Sequence, residues 1–286
     1  MVRIVLLIIL LMIMAFTLVT NLVARQTGQP GVNPVNEIGR SVKKSFGGAD
    51  RIAPDIGKAL DRVDAELSRL GKRSGADDEP GSINANLVLS GADFSGAQAA
   101  NAVFAGVEIN QTRFVGALLD GASFEGAAGA GPSFAKARLA GANFSAAMLP
   151  KADFSGAGLK RSSLRAADFS GAIFTGADLT ASSFSGSNLS QAVVAKAFAP
   201  GGVFVEATAI GADFSGADLR AARFGRANLR DATFAGADVE SADFAGAKLQ
   251  GADFSGAKNL TAGQLSGACG DASTKLPQGM SLSACD

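Results

Sequence analysis

The chain has 286 residues, with 26 basic and 26 acidic side chains, 36 Gly and 19 Phe, and it contains no His, Trp or Tyr. The lack of His excludes a Ser-His-Asp or Cys-His nucleophile, an imidazole metal ligand and an imidazole pH switch. The even charge balance argues against a nucleic-acid binder, and nothing in the composition calls for an enzyme or a cofactor.

The chain opens on an apolar, uncharged run from Ile4 to Thr20, which Asn21, Leu22, Val23 and Ala24 extend to bilayer-spanning length. Residues 1–25 therefore read as an uncleaved transmembrane or signal-anchor helix in contact with lipid through residues 4–24. A cleaved signal peptide is the alternative, although Leu22-Val23-Ala24 puts a large residue where a small one belongs. Arg3 stands on one side of the run and Arg25, Arg40, Lys43 and Lys44 on the other, so the charge rule leaves its orientation nearly tied.

Residues 26–53 read as a linker, with Gly28, Pro30, Gly31 and Pro34 near its start. Residues 54–73 read as an amphipathic capping helix. Ile56, Leu60, Val63, Leu67 and Leu70 make one apolar stripe, Pro54 suits the first turn, and Arg69, Lys72 and Arg73 complement the far end of the dipole. Residues 74–86, with Asp77, Asp78, Glu79 and Pro80, form a polar hinge.

From residue 87 to 257 the sequence repeats every five residues. Of the 34 positions numbered 89, 94, 99 and so on to 254, 16 are Phe and most others are Leu, Ile or Val. The residue two before is Ala at 26 of them, Asp or Asn often lies between, and Gly commonly follows two later. Neither a helix nor an ordinary strand has that period. A chain that turns a corner every five residues does, with one large and one small side chain facing inward. Four sides close a square coil of 20 residues, and coils stacked at strand spacing make a rod about 41 Å long. Phe recurs at every tenth residue: Phe94, Phe104, Phe114, Phe124, Phe134, Phe144 and Phe154, then Phe174 and Phe184, then Phe204, Phe214, Phe224, Phe234, Phe244 and Phe254. These residues predict two core ladders on opposite sides. Phe rather than Tyr fits such a core, because a buried hydroxyl needs a partner.

Residues 258–286 read as a C-terminal cap. They hold the only two cysteines, Cys269 and Cys285. Gly270, Pro277 and Gly279 let the intervening loop close, so a disulfide is one reading and two unrelated buried thiols the other. A disulfide needs an oxidising compartment. With the anchor, it points to a single-pass protein of the bacterial inner membrane with a periplasmic repeat domain. Secretion after cleavage and a cytoplasm-facing repeat are the alternatives.

Units such as Ala92-Asp93-Phe94-Ser95-Gly96 and Ala217-Asp218-Leu219-Arg220-Ala221 resemble the pentapeptide repeat family, A-[DN]-[LF]-x-x. The resemblance implies an all-β fold, the right-handed quadrilateral β-helix, of about eight coils. The segment from Asn259-Leu260-Thr261 to Gly279 is similar to the C-terminal cap of bacterial members. The family implies little about activity. A few members mimic DNA and bind type II topoisomerases, and homodimerisation through the C-terminal end is a family-level expectation.

The repeat carries 15 acidic and 13 basic residues between 87 and 256, too even for a DNA mimic, and no nucleic-acid partner is expected. Asp218 and Asp238 should lie closest among the carboxylates, and Arg223 and Asp243 should form a surface ion pair. Outward apolar residues Ile173, Val193, Phe198, Val203, Val205 and Ile210 gather in sequence near weak centres Val194, Ala199 and Ala209 and near Pro200, Gly201 and Gly202. The expectation is a bulge there that serves as a patch for an unidentified protein partner. Arg138, Lys160, Arg161, Arg165, Arg220, Arg223 and Arg226 suggest a basic stripe for anionic lipid. The reading favoured is a non-catalytic, membrane-anchored scaffold of the cell envelope. A topoisomerase-binding mimic and a peripheral lipid-binding rod are the alternatives.

Overall fold

The computed structural model describes residues 89–285. The chain divides into two units, Met1–Asn86 and Leu87–Asp286. The segments read as anchor, linker, capping helix and hinge lie outside the described residues. Among the described residues no helix is long and apolar enough to cross a membrane.

The corner sets the geometry. From Gly91 to Gly256, every fifth residue has φ between +51° and +73°. Nearly every corner is closed by a bond from residue i+3 to residue i, as from the Ala97 N–H to the Phe94 carbonyl (3.0 Å). A positive φ at the third residue of such a turn is the type II signature. The corner residue is Gly at 19 of these positions and another residue at 15, among them Ala166, Ala221 and Arg226.

Between corners the chain runs extended and pairs in parallel with the coil twenty residues on. Phe94 N–H donates to the Arg113 carbonyl (2.7 Å), Gly96 N–H to that of Val115 (2.8 Å), and Arg113 N–H back to that of Ala92 (2.9 Å). Bridges such as Asp93↔Arg113 and Asp153↔Ile173 repeat this offset on all four sides, so the unit is the right-handed quadrilateral β-helix of its repeat. One N–H per unit, on the residue after the inward centre, points away from the ladder. Asp or Asn two residues earlier accepts it, as in Asp93 Oδ1 to Ser95 N (2.9 Å) and Asn143 Oδ1 to Ser145 N (3.0 Å). The consensus carboxylate or amide is thus an Asx-turn acceptor for an otherwise orphaned donor.

Inside, Phe rings stack coil on coil and meet edge to face across the interior. Phe114 and Phe134 lie 4.9 Å apart at 4°, and Phe134 and Phe144 lie 5.4 Å apart at 90°. Phe104 onward in the two ladders is buried, and Phe94 in the first described coil is half-buried. Leu164 and Val194 interrupt one ladder each. Beside Leu164, Phe169 enters from a third side and meets both ladders, 5.7 Å from Phe154 in one and 6.3 Å from Phe144 in the other. The small inward position accepts Ser where the hydroxyl reaches the preceding turn carbonyl, as Ser162 does to Leu159 (2.7 Å) and Ser187 to Phe184 (2.6 Å).

The bulge expected at residues 194–204 is not there. Pro200 and Gly201 occupy the second and third places of a regular corner, the two positions that a type II turn assigns to Pro and Gly. Gly202 N–H still reaches the Ala199 carbonyl (3.0 Å), and Phe198 and Val203 keep their ladder partners. The irregular corner lies instead at Gly129-Ala130-Gly131-Pro132. Pro132 has no N–H to close the turn, and Asn110 Oδ1 accepts the Ala130 N–H (2.8 Å). The backbone is pinched: a Cβ on Gly129 would stand 2.6 Å from Asn110 N.

After Lys258 the coil stretches. A short 3-10 helix, Ala262–Leu265, and strand β1, Cys269–Gly270, still bond upward, Gln264 and Cys269 accepting from Phe244 (3.0 Å) and Leu249 (2.8 Å). The drift leaves Gly251 N–H without a regular acceptor, and Asp271 Oδ1 takes it (3.1 Å). Strand β2, Ser283–Ala284, pairs in parallel below β1, and a disulfide joins Cys269 to Cys285 with Cα atoms 4.8 Å apart.

Phe144→Ala should lower stability by about 3–5 kcal/mol, while Phe198→Ala, on the outside, should stay within about 0.5 kcal/mol, both read by urea unfolding. Nothing lies within 4 Å of a Cβ added at Gly236. Gly236→Ala should therefore cost about 1 kcal/mol through φ alone, and Ala221→Gly should gain up to about 1 kcal/mol in the same assay. Hydrogen bonds from Ser255 and Lys275 hold Asp253, and those from Ser273 and Gly251 hold Asp271, at a pKa of about 2, below the ordinary 3.8. Stability carried by a depressed carboxylate is complete above its unfolded value and is lost as pH falls toward the folded one. The melting temperature should drop between pH 3.8 and about 2, and Asp253→Asn with Asp271→Asn should flatten that drop.

Candidate interaction surface

Only three positions in five face outward, and the corner and Asx bonds commit part of these to the fold. The residue before each inward centre is the one that presents a side chain from the flat of each side. The sequence-identified apolar residues fall on three sides and two corners of successive coils. Ile173 and Val193 are ladder neighbours on one side, Phe198 lies on the next and Val203 on the third. Val205 and Ile210 sit at the two corners that follow. Phe198 is 44% and Ile173 39% exposed, whereas Val193, Val203, Val205 and Ile210 are half-buried. The compact part of the set is Ile173, Val193 and Phe198, which wrap one corner through Ala195. Two exposed apolar side chains escaped the sequence reading, Val103 (62%) and Met148 (58%). Both occupy the position before an inward centre, and that spacing is the signal that could have found them.

Four of the seven residues of the basic stripe are paired with acidic neighbours. Arg138 pairs with Asp120 (2.6 Å), Lys160 with Asp178 (3.1 Å), Arg220 with Asp218 (2.7 Å) and Arg226 with Glu206 (2.6 Å). Arg220's hydrogen bonds to Asp218 lower the acid's pKa and raise its own. At Asp178 burial opposes ionisation, but bonds from Thr180 and Lys160 prevail and keep the carboxyl low. Such exposed pairs stabilise little; their effect is to interrupt a one-sign stripe with acidic charge.

Asp218 and Asp238 are ladder neighbours as expected, yet they do not converge on a common point. Asp218 turns to Arg220 (2.7 Å) and Asp238 accepts from Asn259 Nδ2 (2.8 Å). Arg223 and Asp243 also stand side by side, but the Asp243 carboxylate accepts the Ala245 N–H (2.9 Å), and no ion pair joins the two. Among the described residues no group of three or more acidic or Cys side chains is placed to hold a metal ion. Among the described residues the surface can bind through shape and apolar contact.

Solved structures similar to the chain are themselves five-residue-repeat proteins. HetL, a pentapeptide repeat protein involved in heterocyst differentiation regulation from the cyanobacterium Nostoc sp. strain PCC 7120, is 27% identical, with 60% of this chain and 87% of that one covered and a TM-score of 0.34. A pentapeptide repeat protein from the Arabidopsis thaliana thylakoid lumen is 32% identical over 30% of this chain and 67% of its own, with a TM-score of 0.26. QnrB1, a plasmid-mediated fluoroquinolone resistance protein, is 20% identical over 65% and 90%, with a TM-score of 0.33. At TM-scores below 0.5 none of these likenesses bears on what this chain binds. No curated protein matches the chain. The family model for pentapeptide repeats matches in eight copies over residues 88–127, 133–165, 162–197, 187–226 and 222–258. It breaks off only at the open corner around Gly129 and resumes in register beyond it, and the chain belongs to the pentapeptide repeat family.

Proposed function

We propose that this chain is a non-catalytic interaction scaffold of the bacterial cell envelope, anchored in the inner membrane by residues 4–24, with its β-helix in the periplasm. The observation that carries the reading is the disulfide between Cys269 and Cys285, the chain's only two cysteines, since such bonds persist in oxidising compartments and are rare in the cytosol. The apolar run of the sequence supports the anchor. The scaffold role draws support from a surface whose polar groups serve the fold and one another. The corner formed by Ile173, Val193 and Phe198 is the part offered to a protein partner, because its apolar side chains have no structural task. A topoisomerase-binding mimic fits less well: it needs a continuous acidic face, and here the carboxylates are interleaved with Arg and Lys and bonded to their own backbone. The paired basic residues weigh in the same way against a lipid-binding face.

The placement is tested in intact spheroplasts that express the full chain. A membrane-impermeant maleimide should label neither cysteine at first and both after mild reduction. Thiols that are already reduced and shielded from the reagent would falsify the periplasmic placement.

A further inference from the structure

Residues 276–285 are tied to the coils by fewer backbone bonds than the coils are to one another. Down to Lys275 the backbone ladder holds the chain from above, with Asp271 Oδ1 replacing one carbonyl. Leu249 N–H donates to the Cys269 carbonyl (2.8 Å), Cys269 N–H to that of Ala247 (3.1 Å), Phe254 N–H to that of Lys275 (2.8 Å) and Lys275 N–H to that of Ala252 (2.9 Å). Beyond Lys275 that support stops. The chain turns through Pro277 and Gly279 and comes back beneath β1 as the two-residue β2. Ser283 and Ala284 are exposed, and Pro277, Met280 and Leu282 are only half-buried. Besides the short β1–β2 pairing, Cys285 N–H reaches the Gly270 carbonyl at 3.2 Å, and Leu282 lies against Gly270, where an added Cβ would stand 3.0 Å from Leu282 Cδ1. Two residues of pairing and partial apolar cover are characteristic of segments that open locally. The remaining tie is covalent, and both of its cysteines are half-buried and so within reach of solvent.

We propose that the Cys269–Cys285 bond is a redox-operated latch on a C-terminal strap, residues 276–285, which a dithiol reductant releases while the coils above stay folded. A thiolate of the reductant attacks one sulfur and forms a mixed disulfide, and its second thiolate displaces the first cysteine. Cys269 and Cys285 each end as a thiol, and the dithiol is oxidised to a disulfide, so electrons and protons balance. Release uncovers the lower edge of β1, whose backbone groups then stand as an unpaired strand edge. The proposal depends on the ties of the strap and not on the compartment, so a failed labelling experiment in spheroplasts leaves it standing.

Hydrogen exchange read by mass spectrometry on the full chain in detergent tests it. Reduction should speed exchange in 276–285 and at Cys269–Gly270 by on the order of 100-fold, the size of the loop-entropy effect of the closed loop, with exchange in 89–258 unchanged. Cys285→Ser should show the same fast exchange without reductant. Unaltered exchange in the strap after confirmed reduction overturns the latch. Loss of protection throughout 89–258 overturns it as well, because the bond would then hold the whole fold.

Discussion

The backbone bond between coils, from residue i to residue i+19, is the constraint on which everything else in the β-helix rests. It can repeat only if each coil traces the coil before it, which requires a corner at the same place every five residues. A left-handed third residue makes that corner, and 15 non-Gly residues accept an unfavourable φ there because the ladders above and below fix it. Once corners are set, each side is too short for more than two inward side chains. One must be small and the other fills the square. Stacked and edge-to-face Phe rings follow from that space, and stability grows as a sum over neighbouring coils.

The same constraint disposes of the surface charge. Asp and Asn recur because an outward N–H in each unit needs an acceptor. Bonds of this kind keep Asp93, Asp178, Asp218 and Asp253 readily ionised, yet they tie each carboxylate to its own turn. Arg and Lys of the same or neighbouring coils complete the pairing. Fields from such alternating charges cancel within a Debye length, so recognition on these sides is left to contact at close range.

The period of five, the inward Ala and Phe and the two ladders could be read directly from the sequence, because burial selects residue size at fixed spacing. Phe169 could not, since its ring makes good a deficit created by Leu164 five residues earlier, and only packing in three dimensions reveals that. Pro200 and Gly201 looked like breakers by composition. Their roles depend on which place in a turn each fills, and in that register they favour the corner. Pro132 is the opposite case: two positions further along the turn than Pro200, it removes a bond. The role of the Asp residues was hidden for a similar reason, since a recurring carboxylate looks alike in sequence whether it faces a ligand or its own amide. The apolar patch showed the widest gap between sequence and structure. Residues close in the chain lie on different sides, because five residues of sequence are a quarter turn in space.

That quarter turn also limits how such a gene can change its length. Loss or gain of twenty residues removes or adds one coil and leaves every later side chain above its former neighbour. A change of ten rotates the remainder by half a turn and still sets Phe over Phe, since the two ladders exchange places. A change of five carries Phe onto the Leu column and swings the whole distal surface through a right angle relative to the proximal one. Duplication within the repeat is therefore a means of re-aiming binding sites without redesigning the core, in steps that the aromatic columns allow.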